Sequence, residues 1–322
     1  MMERIGVLTS GGDAPGMNAA LRAAVRTARS KGMQVFGIER GWDGLIKGQL
    51  RELENRSVSD LIQRGGTFLK TARCPEFVTL EGQKKAAETL EAYGIEGLII
   101  VGGDGSMRGA KDISDNFGIK CMGIPGTIDN DLAYTDYTLG FDTAVNTVLT
   151  AINNLRDTMQ SHDRVSLVEV MGRHCGDIAL YAGIAGGAEY ILIPEKELDL
   201  EDIAKNLKKS KLRGKTSNMI VLAEGAGNRD EIVAYLNEHA HVDIKITHLG
   251  HVQRGGSPTM ADRILATRFA VKAVEMLADE NSVSSAIGIR GNKIIAIPFE
   301  EAFAAKKTFN EELMSAAKIL GK

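Results

Sequence analysis

Short apolar runs alternate with longer segments in which apolar residues recur every three or four positions. The apolar runs predict strands at 4–10, 33–39, 95–103, 119–124, 164–170, 189–194 and 217–225. The longer segments predict helices at 19–32, 82–94, 106–118, 141–159, 176–188 and 200–211. Strands and helices that alternate in this way are typical of a mostly parallel sheet with helices on both faces. The pattern therefore predicts an α/β protein.

Composition narrows the classes of function. The chain has 322 residues, enough for two domains or one large one. Its 39 basic and 42 acidic residues give a net charge of −3, which excludes general electrostatic attraction to nucleic acid or anionic membranes. The 36 glycines and 5% aromatic content favour tight loops between strands and helices over a β-sandwich. Any anion site must therefore come from a local group of cations.

The cysteines and the amino-terminal stretch indicate the cellular compartment of the protein. Cys74, Cys121 and Cys175 are scattered and lack metal-ligand spacing, so a disulfide framework is not expected. The stretch MMERIGVLTSGG has no long apolar core, and no apolar run approaches about 18 residues. These features favour a cytoplasmic protein.

Three glycine-rich loops each leave a predicted strand and enter a predicted helix, at 9–16, 101–106 and 125–131. Glycine lets the backbone approach a phosphate, and a helix N-terminus offers unpaired N–H groups. One such loop is more often a plain tight turn. Three of them at the carboxyl ends of strands of one sheet, where ligands bind in doubly wound folds, indicate a phosphate site.

Two common phosphate fingerprints are absent. The GKT at 214–216 resembles the end of a Walker A loop, but Lys209 stands where that motif requires glycine. No G-x-G-x-x-G follows the first strand. The sequence therefore supports neither a P-loop nor a dinucleotide-binding fold.

Carboxylates stand inside two of these loops. Asp104 lies among glycines, where it could hold Mg²⁺ beside phosphates or cap the following helix. Asp129 and Asp131 lie two residues apart, a spacing that in an extended loop points both toward one face. They are either turn residues or a pair in which one accepts a proton from a hydroxyl nucleophile.

Basic residues recur beside the glycine turns, and arginine binds phosphate oxygens with two parallel hydrogen bonds. Taken singly, each arginine is more often a surface residue, and a lone histidine is more often structural. The candidates are Arg73, Arg164, Arg173, Arg254 and His251. Arg22 and Arg26 share one helix face, which is either solvated or a second anion site.

Taken in order, these stretches resemble the bacterial ATP-dependent 6-phosphofructokinase family. The matching stretches are IGVLTSGGDAPGMNAA, RGGTFL, TARCPEF, GGDGS, GIPGTIDND, TDYTLGFDTA, RDT, SHDR, VMGRHCGD, AEG and LGHVQRGGSPT. The resemblance implies transfer of the γ-phosphate of Mg-ATP to the 1-hydroxyl of fructose 6-phosphate in glycolysis. It also implies a cytoplasmic homotetramer whose active sites are shared between subunits.

The resemblance assigns roles to residues of this chain. Asp129 would be the base, Thr127 would contact the transferring phosphate, and Arg73 and Arg173 would stabilise its charge. Asp104 would hold Mg²⁺. The ATP site would comprise Gly12, Arg73, Cys74, Gly103, Asp104, Gly105 and Ser106. The fructose 6-phosphate site would comprise Thr127, Ile128, Asp129, Arg164, Met171, Gly172, Arg173, Glu224, Lys245, His251, Val252, Gln253 and Arg254, with Arg164 and Lys245 reaching the 6-phosphate from a neighbouring subunit.

The family also has an effector site for ADP or phosphoenolpyruvate. The matching positions are Arg22, Ala23, Ala24, Val25, Arg26, Ser59, Asp60, Arg156, Gly187, Ala188, Glu189, Arg213, Lys215, Thr216 and Ser217. The family usually has two lysines and a histidine at 215–217, and often an arginine near Asn55. Each lost charge-assisted contact is worth roughly 1.5–3 kcal/mol, so effector binding should be weakened.

The resemblance predicts two doubly wound domains with the active site in the cleft between them. The larger, ATP-binding domain would span 1–138 plus about 251–300. The smaller, fructose 6-phosphate-binding domain would span 139–250 plus about 301–322.

Two glycines bear on the phosphoryl donor. Pyrophosphate-dependent relatives typically carry Asp at the position of Gly105 and Lys at that of Gly126, so this chain favours ATP. A pyrophosphate-dependent enzyme is the alternative within the family. A non-catalytic sugar-phosphate sensor is the alternative outside it, but it would be expected to lack Asp104, Asp129 or Arg173, and all three are present.

Lys245 departs from the family, which typically has arginine at this position. Lysine keeps the charge but not the two-pronged geometry. We expect Lys245→Arg to lower the KM for fructose 6-phosphate with little change in kcat, as measured by initial rates. An unchanged KM would contradict this assignment.

Overall fold

The computed structural model describes residues 2–162 and 164–321. The chain divides into two compact units. The first unit comprises 1–128, 132–143 and 254–307, and the second comprises 129–131, 144–253 and 308–322. Each unit has its own sheet. Which ligand each unit binds stays a prediction.

The strands, in chain order, are β1 (Arg4–Thr9), β2 (Gln34–Ile38), β3 (Leu50–Glu52), β4 (Gly97–Gly102), β5 (Lys120–Pro125), β6 (Val165–Val170), β7 (Tyr190–Leu192), β8 (Asn218–Ala223), β9 (Ile244–His248), β10 (Ser285–Arg290) and β11 (Lys293–Pro298). The helices are α1 (Met17–Ser30), α2 (Gly41–Ile46), α3 (Leu80–Tyr93), α4 (Asp104–Phe117), α5 (Phe141–His162), α6 (Asp177–Ala185), α7 (Leu200–Leu212), α8 (Arg229–Ala240), α9 (Met260–Ala278), α10 (Phe299–Ala304) and α11 (Glu311–Leu320). Short 3₁₀ helices lie at Pro75–Val78 and Gly250–Arg254.

The sheet of the first unit has the order β11-β10-β5-β4-β1-β2-β3. Its five central strands pair in parallel, whereas β2–β3 and β10–β11 pair in an antiparallel manner. Every residue of the central strand β4 is buried, as the apolar stretch GLIIVG requires in a sheet covered on both faces. The predicted α/β class with a mostly parallel sheet is confirmed.

The second unit has a fully parallel four-stranded sheet in the order β7-β8-β6-β9. Its strand β8, NMIVLA, is buried throughout. Helices α7 and α8 pack with this sheet around Leu167, Leu207, Ile220, Leu222 and Leu236. The predicted strand at 189–194 is shorter in the structure, where β7 contains only Tyr190–Leu192.

Capping side chains and a glycine mark the ends of α3 and α8. The Thr79 hydroxyl accepts a hydrogen bond from Gly82 N at the start of α3, and Gly94, with φ of 65°, ends that helix. The Asn228 side chain caps α8 by accepting from two backbone N–H groups.

Two further expectations bear on chemistry and location. Cys74, Cys121 and Cys175 are free thiols in the structure. Across the described residues, helices that are both long and apolar enough to span a bilayer do not occur.

One buried carboxylate in the first unit fastens the start of α5. Asp262 is 1% exposed and accepts hydrogen bonds from the N–H of Gly140 and of Thr143, both at 2.9 Å, and from the Thr143 hydroxyl. Burial raises the pKa of the Asp262 carboxyl, and these hydrogen bonds act in the opposite direction. A carboxylate at a helix N-terminus also interacts favourably with the helix dipole.

We expect Asp262→Ala to lower the free energy of unfolding by about 3 kcal/mol, because it leaves buried N–H groups without their acceptor. Asp262→Asn, which keeps the shape and one acceptor oxygen, should cost less. Urea unfolding followed by fluorescence of Trp42, the one tryptophan, reports on the first unit. Equal stability of Asp262→Ala and the wild type would contradict this role.

Candidate functional site

In the first unit, the three glycine-rich loops emerge side by side from the carboxyl ends of β1, β4 and β5. Parallel pairing places Thr9 beside Val101 and Gly102 beside Pro125. The backbone contacts continue past the strands, because Ser10 N donates to Val101 O at 3.0 Å and Gly126 N donates to Gly102 O at 2.9 Å. The predicted grouping of these loops is present in the structure.

The loops touch so closely that side chains would not fit at some positions. A Cβ on Gly102 would lie 2.5 Å from Ser10 O and 2.6 Å from the Ser106 hydroxyl oxygen. A Cβ on Gly12 would lie 2.6 Å from a guanidinium nitrogen of Arg254. Glycine is therefore required at Gly102 by the approach of the Ser10 backbone, whereas at Gly12 a side chain would displace the end of Arg254. Arg254 lies directly on the first loop, where it donates to Asp13 O at 3.3 Å.

The segment that carries Arg73 and Cys74 is attached to the same loop. The Thr9 hydroxyl donates to Lys70 O at 2.8 Å, and the Thr71 hydroxyl donates to Gly11 O at 2.5 Å. Two residues further on, Arg73 is exposed. Cys74 is half-buried, and burial raises the pKa of its thiol. The Cys74 thiol therefore contributes packing rather than a thiolate.

Asp104 is the first residue of α4, whose N-cap is Gly103. The alternative that Asp104 caps the helix is therefore wrong. Its carboxylate accepts a hydrogen bond from Arg108 Nε at 2.7 Å, and the Asp104 side chain is 46% exposed. The sequence did not point to Arg108, although the i,i+4 spacing of the two residues is a signal for this pairing.

Gly105 and Gly126, which bear on the phosphoryl donor, differ in their surroundings. A Cβ on Gly105 would meet no atom within 4 Å. A Cβ on Gly126 would lie 2.8 Å from Met17 Cε and 3.2 Å from Val101 Cγ1. A side chain at 126 would therefore displace the end of Met17, whereas at 105 the structure leaves room for a side chain.

The segment Asp129–Asp131 is not the extended loop in which this spacing would point both carboxylates toward one face. Asn130 has φ of 52°, in the left-handed region, so the backbone turns between the two carboxylates. Asp129 is half-buried, Asn130 is 4% exposed and Asp131 is exposed. The three residues therefore have different environments. In the preceding loop, Thr127 O accepts from the Thr138 hydroxyl at 2.6 Å.

In the second unit, the carboxyl ends of β6, β8 and β9 gather another group of predicted residues. Parallel pairing places Val170 beside Ala223 and Glu169 beside His248. The residues that follow these strands include Met171, Gly172, Arg173, Glu224, His251, Val252 and Gln253. Glu224 N donates to Val170 O at 2.9 Å, which continues the pairing into the loops.

Buried Gln253 ties these loops together. The Gln253 side chain is 0% exposed, accepts from Met171 N at 3.2 Å and donates to Gly250 O at 2.9 Å. Arg173, Glu224 and His251 are exposed around it. The arrangement presents a cation, an anion and an imidazole on one edge of the sheet, a set suited to a polar ligand with phosphate and hydroxyl groups.

Glu169 and His248, at the same edge, were missed by sequence reasoning. One Glu169 carboxylate oxygen lies 2.8 Å from His248 Nδ1 and accepts from Arg229 at 2.9 Å. The signal was weak because Glu169 lies inside a mostly apolar strand and His248 is the last residue of β9. This ion-paired group orders the edge of the sheet beside Leu249, whose N–H donates to Glu169 O at 3.1 Å.

Arg164 and Lys245 lie at the opposite end of this sheet. Val165 pairs with Ile244 and Ser166 with Lys245, so both candidates are at the amino ends of their strands. Six residues of strand separate that end from Met171, roughly 17–20 Å. Lys245 Nζ lies 2.7 Å from an Asp243 carboxylate oxygen, and Arg164 is exposed. The structure therefore does not bring these two cations to Arg173 within the second unit.

Part of the predicted effector set clusters in the second unit. Arg156 donates to Gly186 O at 2.7 Å and to Gly187 O, and Lys215 Nζ lies 2.9 Å from a Glu189 oxygen. The other Glu189 oxygen accepts from Met219 N at 2.6 Å. A cavity of about 560 Å³ lies beside this cluster, lined in part by Glu189 and Arg213.

The remaining effector candidates have separate positions. Ala188 is buried, whereas Thr216 and Ser217 are half-buried just before β8. Arg22, Ala23, Ala24, Val25 and Arg26 lie on α1 of the first unit, and Ser59 and Asp60 are exposed in a loop of that unit.

Glycine-rich loops on the carboxyl edge of a parallel sheet, with an arginine directly on one of them, are typical of α/β proteins that bind phosphorylated ligands. The chain matches the phosphofructokinase family over residues 4–277. It is 58% identical over 321 residues to an ATP-dependent 6-phosphofructokinase of Clostridium botulinum, with 100% of both chains covered. It is 57% identical over 319 residues to an ATP-dependent 6-phosphofructokinase of Clostridium tetani, with 99% of each covered.

A solved structure of phosphofructokinase from Saccharomyces cerevisiae is similar, with a TM-score of 0.88 and 37% identity. That similarity covers 99% of this chain and 46% of the yeast chain, so this chain spans less than half of that relative. The chain belongs to the phosphofructokinase family. The resemblance inferred from the sequence motifs is confirmed.

Proposed function

We propose that this protein is an ATP-dependent 6-phosphofructokinase. It transfers the γ-phosphate of Mg-ATP to the 1-hydroxyl of fructose 6-phosphate, giving fructose 1,6-bisphosphate and ADP, as glycolysis requires, and it acts in the cytoplasm. The full-length identity of 58% to a bacterial ATP-dependent relative carries the proposal. The retention of Asp104, Asp129 and Arg173 favours catalysis over a sensor role.

Asp129 serves as the general base. A carboxylate that accepts the proton of the 1-hydroxyl raises the nucleophilicity of its oxygen as the phosphoryl group approaches. Thr127, two residues earlier, contacts the transferring phosphate. Because phosphoryl transfer demands little covalent chemistry from the protein, positioning and charge stabilisation dominate its catalysis.

Arg73 and Arg173 neutralise charge on the phosphoryl group in transit. Guanidinium groups match phosphate oxygens with two hydrogen bonds and stay charged at every physiological pH. Both side chains are exposed, so they are accessible to a ligand. The loops that carry Gly12 and Gly103, together with Gly105 and Ser106 in the first turn of α4, hold the phosphates of ATP.

Asp104 suits Mg²⁺, which prefers one or two carboxylates together with phosphate oxygens and water. The Asp104 carboxylate lies half-exposed at the amino end of α4, within reach of phosphates bound there. When bound, Mg²⁺ would neutralise phosphate charge. Arg108 holds the Asp104 carboxylate in place, as an exposed ion pair worth at most about 1 kcal/mol that the metal can outcompete.

Fructose 6-phosphate binds at the edge formed by Met171, Arg173, Glu224 and His251. Arg164 and Lys245 lie at the other end of their sheet, so they serve the 6-phosphate in a neighbouring copy of the chain. This arrangement supports the proposal of a homotetramer with shared active sites. ADP and phosphoenolpyruvate are the proposed effectors, and Arg156, Glu189 and Lys215 would contribute to their site.

The base is tested by Asp129→Ser, which removes the proton acceptor. Turnover should fall about 10²–10⁴-fold, because general base catalysis contributes that much, while fructose 6-phosphate binding is retained. Coupled-assay kinetics and calorimetric binding measure the two effects. Asp115→Ser, at an exposed carboxylate paired with Lys111, is the matched control and should keep wild-type turnover. Wild-type turnover in Asp129→Ser would contradict the assignment.

The donor is tested by Gly105→Asp, since the structure leaves open space at that position. The added carboxylate should repel ATP phosphates and lower kcat/KM for ATP by at least about tenfold, equivalent to about 1.4 kcal/mol. Initial rates with ATP and with pyrophosphate measure the change. Gly105→Ala adds a methyl group without charge and should lower kcat/KM for ATP by a smaller factor. A wild type that prefers pyrophosphate would favour the alternative enzyme.

A further inference from the structure

Asn130 is the most buried residue of the Asp129–Asp131 segment, with 4% exposure. Its φ of 52° lies in the left-handed region, which costs a non-glycine residue about 1 kcal/mol or more. Asparagine tolerates that conformation better than most residues, so the position is suited to it. A residue held in this way needs contacts that keep it there.

Those contacts come from the start of α6. Asn130 Nδ2 donates to Asp177 Oδ2 at 2.8 Å, and both side chains are buried. The Cys175 thiol lies 3.8 Å from Asn130 O. A hydrogen bond to a carboxylate is roughly twice as strong as one between neutral groups, and more so away from water. Asn130 is therefore fastened to the first turn of α6 through Asp177.

The loop that carries Arg173 ends at the same place. Gly176 N, next to Asp177, donates to Glu195 Oε1 at 2.8 Å. Gly225, in the loop after β8, packs on the Arg173 backbone so closely that a Cβ would lie 1.9 Å from Arg173 O. The backbone of this loop is thus held at Arg173 and at Gly176, and Asp177 connects it to Asn130.

We propose that Asn130 and Asp177 form a positioning pair that fixes the backbone of Asp129 relative to the Arg173 loop. The inference rests on the proposed function, because it takes Asp129 as the base. Neither member of the pair needs to touch substrate. A base must be held near its productive geometry, and a displacement of about 1 Å can cost about 100-fold in rate.

The test is a double-mutant cycle with Asn130→Ala and Asp177→Ala. Each change should lower kcat about 100-fold, with the KM for fructose 6-phosphate and for Mg-ATP changed by less than about threefold. The double variant should be no slower than the slower single variant, since the residues act as one unit. The proposed pair would be overturned if the losses in kcat of the two single variants multiplied in the double variant. It would also be overturned if the effects appeared in KM alone.

Exchanging the amide and the carboxylate between positions 130 and 177 tests the pair even if the alanine variants fold poorly. Asn130→Asp places two carboxylates opposite each other and should lose activity, whereas Asp177→Asn keeps an acceptor and should lose less than about tenfold. Combining the two substitutions restores a donor facing a carboxylate. We expect the combination to recover at least about tenfold in kcat over Asn130→Asp. If the combined variant folds but its kcat does not recover, the proposed pair is overturned.

Asn237→Ala is the matched control in the same unit. It removes an amide oxygen that accepts from Ile244 N at 3.1 Å, at the amino end of β9, and should leave kcat unchanged. Thermal unfolding of every variant identifies losses caused by instability. A wild type inactive with ATP and fructose 6-phosphate would overturn the proposed function and the pair with it. An active wild type with a fully active Asn130→Ala would overturn the pair alone.

Discussion

Close contact between backbones at the carboxyl ends of parallel strands is the constraint on which the rest of the structure depends. In the first unit, Gly102 lies so near Ser10 and Ser106 that no side chain fits. The strand pairing continues one residue beyond the sheet at Ser10 and Gly126. Glycine also lets the backbone approach a phosphate, so one physical requirement of the fold would serve the phosphate site that we propose here.

The second unit meets a similar requirement with side chains. Gln253, fully buried, joins the loops after β6 and β9 through one accepted and one donated hydrogen bond. Glu169 joins His248 and Arg229 at the same edge. Because buried polar groups are costly without partners, these contacts favour a single arrangement of the loops. Exposed Arg173, Glu224 and His251 are therefore displayed on a rigid base, which is what a specific polar ligand site needs.

Most of the fold could be predicted because apolar periodicity reports directly on burial. Strands such as β4 and helices such as α4 lie within two residues of their predicted bounds. The environment of Asn130 could not be predicted, because Asp-Asn-Asp is equally a turn signal and only tertiary contacts select the left-handed backbone. The role of Glu169 was hidden for a related reason, since isolated polar residues in a buried strand give no periodic signal. The sequence motifs identify the loops, whereas the contacts that support these loops are visible only in the three-dimensional structure.

The position of Arg164 and Lys245 at the amino end of their sheet has a consequence for how the enzyme would behave on dilution. A chain that lends these cations to another copy cannot complete its own 6-phosphate site alone. Specific activity would then depend on protein concentration, falling as subunits separate, and fructose 6-phosphate would itself oppose dissociation by binding across the contact. Substrate supply and assembly would thus be linked, because the subunits would associate most tightly when the sugar phosphate is abundant.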